Sequence, residues 1–185
     1  MIEIYDTPIN AGDGRNRREM ERNASILLIA KVFGNDARLD HDNEGRPLVE
    51  GCDFEGMISI SHCADRCLLA VTREKDVSIG IDTETWREQL RRVAPRFMIP
   101  AEVAVYDSPA LLLLAWTTKE AVYKAARVPG LAFQEILLPI PAPDGKDFTV
   151  TARDIKFKAT SVALSPLRAT TTAEKQLKCL LSANF

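Results

Sequence analysis

The chain has 185 residues, 46% of them apolar and 27% charged, and a formal net charge of −2. This composition excludes a largely disordered chain, and the near-neutral charge gives no basic field of the kind that draws nucleic acid. An anionic ligand must therefore be met by local clusters of Arg and Lys. The longest apolar stretch, Leu111 to Trp116, is far too short to span a bilayer, so no membrane partner is expected. The opening segment MIEIYDTPIN lacks a basic start followed by a long apolar run, and the expected location is cytoplasmic.

In chain order, a strand around Ile2 to Tyr5 leads into a polar turn at Asn10 to Gly14. The pattern then predicts a helix from Asn16 to Phe33, stopped by Gly34. Its first half is basic (Arg15, Arg17, Arg18, Arg22) and its second half apolar. Gly45-Arg46-Pro47 reads as a turn. Strands follow at Met57 to Ser61, Leu68 to Thr72 and Val77 to Ile81, with short polar gaps that suit antiparallel pairing. A helical region from Arg87 to Tyr106 is broken near Pro100. Ser108-Pro109 opens the clearest helix, which runs to Arg127 and stops before Pro129-Gly130. From Phe133 onward the pattern is of strands, with turns at Pro139 to Gly145 and near Pro166. The class is α+β. The order helix then strands, twice over, is compatible with two similar lobes, 1–75 and 76–185.

Four cysteines (Cys52, Cys63, Cys67, Cys179) lack disulfide-framework spacing. His62, Cys63 and Cys67 have no second ligand pair at finger-like spacing, so reduced, partly buried thiols are expected rather than zinc.

The third strand ends in Asp82-Thr83-Glu84. Side chains alternate along extended chain, so Asp82 and Glu84 point to the same side. Two carboxylates converging on one spot repel unless a cation or proton lies between them, and oxygen ligands suit a hard ion such as magnesium. Gly80 lets a neighbouring strand or ligand come close. A solvated acidic turn explains the same residues with no ligand.

In the last half of the Ser108 helix, Trp116, Glu120 and Lys124 are spaced four apart and form one row, with Lys119 beside it. Glu120 and Lys124 alone amount to a surface pair of about 0.2–0.5 kcal/mol. That pair does not explain why two lysines and an acid follow a nearly all-apolar stretch, which places them at the edge of a cleft. A third acid with two cations is what magnesium diphosphate chemistry requires.

Together, Ile79-Gly80-Ile81-Asp82-Thr83-Glu84 and Trp116-Thr117-Thr118-Lys119-Glu120-Ala121-Val122-Tyr123-Lys124 resemble the paired signatures G-[IV]-D-x-E and W-[ST]-x-K-E-[AS]-x-x-K of the 4'-phosphopantetheinyl transferases. Gly45-Arg46-Pro47 is similar to that family's G-[KR]-P turn, and Ile58-Ser59-Ile60-Ser61-His62 to its strand ending in S-H. The chain looks like the longer, surfactin-synthetase-activating type, which implies a monomer of two pseudo-symmetric α+β lobes with the active site between them.

The resemblance implies that Asp82, Glu84 and Glu120 hold magnesium against the diphosphate of coenzyme A. Lys124 and Lys119 would contact phosphates, His62 would bind a coenzyme A phosphate through its imidazole, and Ser61 would be cofactor-binding beside it. Without the resemblance, His62 reads equally well as structural or solvent-facing. Arg46 and Pro47 would border the adenine, and Arg18 and Arg22 would reach the 3'-phosphate. Catalysis would fall to Glu120, Asp82 and Lys124. Two departures stand out. Cys63 replaces a small hydroxyl residue after the histidine, and Arg46 replaces a commoner lysine. The implied reaction moves phosphopantetheine from coenzyme A to a serine of an apo carrier protein. Other readings are a magnesium-dependent hydrolase of the phosphoryl or pyrophosphoryl class and a non-catalytic coenzyme A or carrier-binding module. Arg91, Arg92 and Arg96, with Phe97 and Met98, are candidates for a carrier ledge or for a solvated helix face.

Overall fold

Asn16 and Gly34 bracket the first helix as the sequence predicts. In the computed structural model, which describes residues 1–9 and 16–164 and the backbone of 176–184, α1 spans Arg17–Phe33. The Asn16 side chain accepts a hydrogen bond from the Glu19 N–H at 2.9 Å, a cap worth about 1 kcal/mol. Gly34 ends the helix at φ +104°, donating its N–H to the Ala30 carbonyl. The polar turn at Asn10 to Gly14, Arg15, the turn near Pro166 and Thr170 to Thr172 lie outside the described residues.

Strand β1 (Ile2–Pro8) precedes α1, and a short hairpin follows it, β2 (Arg38–His41) paired with β3 (Pro47–Glu50). Gly45 turns that hairpin at φ +78°, and the Asp42 carboxylate accepts from the Glu44 and Arg46 N–H groups. Next come β4 (Met57–Cys63) and β5 (Arg66–Thr72), which form an antiparallel sheet with β1 in the order β1-β5-β4. Every residue of β5 is buried, because the strand is covered on both faces. Cys67, Leu69 and Val71 pack with Leu28 and Ile29 of α1, whereas Leu68 and Ala70 pack with Val77, Ile79 and Ile81.

Those last three residues belong to β6 (Val77–Thr85), which does not pair with β5 as the short polar gap suggests. It instead edges a five-stranded sheet whose order is β6-β10-β9-β8-β7, built from β7 (Ile136–Leu137), β8 (Asp147–Ala152), β9 (Ile155–Leu164) and β10 (Gln176–Asn184). On its free side β6 lies beside β4. The Ser59 hydroxyl accepts from the Ile81 N–H at 3.0 Å and the Ser61 hydroxyl from the Thr83 N–H at 3.2 Å. Both pairs advance by two residues in the same direction, so β4 and β6 run parallel, joined by side chains where a backbone ladder would otherwise be.

The predicted break near Pro100 separates α2 (Gln89–Phe97) from α3 (Pro100–Val103), with Ile99 extended before the proline. The long helix α4 spans Pro109–Ala126, capped by Ser108 and started by Pro109. It ends at Arg127, a non-glycine residue in the left-handed region at φ 53°, a conformation costing roughly 1–2 kcal/mol without glycine. Ala121, Val122 and Ala125 of α4 join Phe97, Met98, Ile136, Val150 and Phe157 in the larger core. Gly80 is what lets α4 sit this close to β6. A Cβ there would meet the Ala121 carbonyl oxygen at 2.0 Å.

Candidate active site

Because Gly80 draws α4 onto β6, the two chemical clusters of the sequence meet. Lys124 Nζ lies 2.8 Å from Asp82 Oδ1 and 3.0 Å from the Ile81 carbonyl. Asp82 Oδ1 also accepts from the Ser61 hydroxyl at 2.9 Å. The other carboxylate oxygen, Oδ2, is buried with no hydrogen-bond partner among the described residues. Such an atom is costly unless a further donor or cation reaches it.

Glu84 and Glu120 complete the acidic group. Burial raises the Glu84 pKa first of all; Arg87 opposes this and Asp82 adds to it. Burial also raises that of Glu120, with the charges of Asp82 and Glu84 adding and Lys124 opposing. Glu120 thus senses both other acids, and Glu84 senses Asp82. Among the described residues no three His, Cys, Asp or Glu side chains stand in a ready-made metal cluster. Glu84 is turned to Arg87 at 2.7 Å and Lys124 takes one oxygen of Asp82. The donor chemistry nevertheless fits a hard divalent cation: three carboxylates, one with an unpartnered buried oxygen, and two held toward the protonated form by burial and mutual repulsion.

A cleft of about 580 Å³ adjoins this group through Lys124 and is lined by Arg46, Pro47, His62, Tyr123, Lys124 and Arg127 among others, while the three acids lie outside its lining. His62 Nε2 is 2.7 Å from the hydroxyl of Ser25, which itself donates to the Glu21 carbonyl of α1. Burial lowers the His62 pKa first of all; Glu21 pulls it up, and Lys124 and Arg17 push it down. Tyr123 stacks on Phe133 at 5.4 Å, and Phe133 on Trp116 at 5.7 Å, so an aromatic column backs the cleft wall.

The structure brings Arg46, Pro47, His62 and Lys124 to one cleft, with Asp82 bonded to Lys124 and Glu84 and Glu120 beside it. Lys119 is a correction. Its ammonium is fully buried on the far side of α4, 2.8 Å from Glu102 and bonded to the Phe133 and Ile136 carbonyls, so it does not face the cleft. Ser61 is likewise engaged inward, with its hydroxyl held between Asp82 and the Thr83 N–H, and it is buried beneath the acids, not on the cleft wall. Arg18 and Arg22 are exposed on α1, on the helix face that continues to Ser25. Cys63 points to the Thr83 hydroxyl at 3.3 Å. Phe97 and Met98 are buried in the core, which removes the apolar part of the expected carrier ledge. Arg91 is tied to Glu88 and the Asp107 carbonyl.

Sequence reasoning missed Ser25, Glu102, Tyr123 and Arg127. Of these only Arg127 carried a local signal, as an arginine one turn beyond Lys124 where a helix end favours glycine.

The family model of the 4'-phosphopantetheinyl transferase superfamily matches residues 78–173, and the chain belongs to this family. The match contains Asp82, Glu84, Glu120 and Lys124, whereas Arg46 and His62 precede it. No curated protein matches the chain. Membership gives transfer of a 4'-phosphopantetheinyl group as the general activity, with coenzyme A and a carrier protein as the general substrates. No helix among the described residues is long and apolar enough to cross a membrane.

Proposed function

We propose that the chain moves phosphopantetheine from coenzyme A to a serine of an apo acyl or peptidyl carrier protein, releasing adenosine 3',5'-bisphosphate. The observation that carries this reading is the Lys124–Asp82 contact, which joins the two signature segments at the head of a cleft lined by Arg46 and His62. Asp82, Glu84 and Glu120 would hold magnesium, which when bound neutralises charge on the diphosphate oxygens. Lys124 adds a fixed positive charge beside them. Glu120, its pKa raised by burial, is suited to accept the serine proton directly or through a water it orients. Arg46 and Pro47 would border the adenine, and His62 a phosphate.

The reading extends to the longer, two-lobed type of the family. A three-stranded sheet with α1 lies in residues 1–75 and a five-stranded sheet with α4 in 76–185, and β4 runs beside β6 where they meet. One chain would then carry both walls of the site and work as a cytoplasmic monomer.

The test is incubation with coenzyme A, magnesium and a panel of apo carrier proteins, followed by mass spectrometry. Gain of one phosphopantetheine mass on a carrier serine is expected. Release of the arm to water with every carrier left unmodified would overturn the reading in favour of a hydrolase.

A further inference from the structure

We propose that Ser25 is a positioning residue which holds His62 as the tautomer protonated at Nε2, so that the ring meets an anion in the cleft only by taking up a proton at Nδ1. The inference rests on the coenzyme A reading above and adds to it the protonation state in which His62 acts.

The hydrogens around Ser25 fix the tautomer. Ser25 is 3% exposed on α1, and three groups meet its hydroxyl. The Glu21 carbonyl lies at 3.1 Å, His62 Nε2 at 2.7 Å and Cys67 Sγ at 3.8 Å. A hydroxyl has one hydrogen and two lone pairs. A carbonyl can only accept, so Glu21 takes that hydrogen. The other two partners then donate, Cys67 through its S–H and His62 through Nε2–H. Burial pushes the Cys67 thiol up to about 11, so it carries its hydrogen at neutral pH. Cys67 and His62 are partners in the register of β4 and β5, which brings both donors to the one hydroxyl.

A neutral ring bonded in this way keeps its lone pair at Nδ1. The half-buried ring lines the cleft, and a lone pair repels a phosphate oxygen, so an anion there needs the imidazolium. The surroundings hold the resting ring neutral. Burial lowers its pKa first of all, and Glu21 pulls upward against Lys124 and Arg17. Glu21 is also paired with Arg17 at 2.6 Å. From β5 the facing group is the uncharged Cys67 thiol. A bound phosphate supplies the missing counter-charge, so anion and proton arrive together.

Two measurements on the full chain test this. The imidazole nitrogen spectrum at pH 8 is expected to show His62 protonated at Nε2; the chain has two histidines, and His62→Gln identifies the signal. Protonation at Nδ1 overturns the inference. Calorimetry of coenzyme A binding in buffers of different ionisation heat then counts protons, with His62→Gln as the reference for those exchanged by the ligand and the acids. The wild type should take up a larger fraction of a proton than His62→Gln, and between pH 8 and 6.5 its affinity should rise by up to about tenfold per pH unit relative to that variant. Ser25→Ala, with a residue that suits a helix interior, should lose most of the excess uptake. No excess in the wild type, or an undiminished excess in Ser25→Ala, overturns the inference while leaving coenzyme A binding intact. If coenzyme A does not bind the wild type, the reading above fails and takes the proton-coupled step with it.

Discussion

Lys119 Nζ lies 2.8 Å from Glu102 Oε2, and both side chains are buried in the larger core. Glu102 also accepts from the Leu138 and Ile99 N–H groups, so the pair ties α4 to α3 and to the chain leaving β7. Removing one partner leaves a buried charge without its counter-ion, which costs about 3–5 kcal/mol. Lys119→Met is therefore expected to lower unfolding free energy by that order in a urea titration. A variant of normal stability with a raised KM for coenzyme A would instead return Lys119 to the phosphate side.

Glu120→Gln and Asp82→Asn remove charge from a crowded acidic group without changing volume. Both variants should keep their unfolding midpoints near that of the parent and lose transfer by at least about 100-fold, the scale of a lost base or charge-stabilising group. Carrier modification followed by mass spectrometry, alongside thermal unfolding, reads both quantities. Near-normal transfer by either would remove these acids from the chemistry.

Gly80→Ala tests the contact that brings the two clusters together. The new methyl meets backbone oxygen at 2.0 Å, which no rotamer relieves, so α4 must shift from β6. Overpacking of this kind costs about 1–3 kcal/mol. The Lys124–Asp82 contact should loosen with it, and transfer should fall further than the stability loss alone accounts for. A parental Tm with full activity would show that the helix has room.

His62 gives a pH signature. Its ring faces Glu21 and Arg17 of α1 and Lys124 of α4, and burial holds its folded pKa below 6.5. The unfolded chain then takes up the proton first as pH falls. The His62 contribution to stability is complete above 6.5 and is lost as pH drops through that value toward the folded pKa. Between pH 7.5 and 5.5 the wild type should lose more unfolding free energy than His62→Gln. Parallel losses would show that the ring titrates as if exposed.

Much of the site was legible because its parts are local. Caps and prolines mark α1 and α4, alternation places Asp82 with Glu84, and a spacing of four aligns Trp116, Glu120 and Lys124. Direction was harder. Periodicity sets Lys119 beside that row, but only Glu102, on a separate helix, makes the far side the favourable one for its charge. The partner of β6 was hidden for a similar reason, since β10 lies at the opposite end of the chain and no short-range signal links them. The strands β2 and β3 span four residues each, too few for a pattern to stand out. Arg127 is hidden because a helix stop carries no sign of which way its side chain turns, here into the cleft.

The serine seam between β4 and β6 gives the molecule a built-in line of parting. A continuous ladder would make the two sheets one mechanical plate, whereas here side chains carry the junction, the hydroxyls of Ser59 and Ser61 with Cys63 at Thr83, and Ser61 also grips Asp82. Any spreading of the sheets is thus transmitted to the carboxylate within a single bond. The amides of Ile81 and Thr83 would report it directly, exchanging their hydrogens as the seam opens, ahead of the ladders on either side.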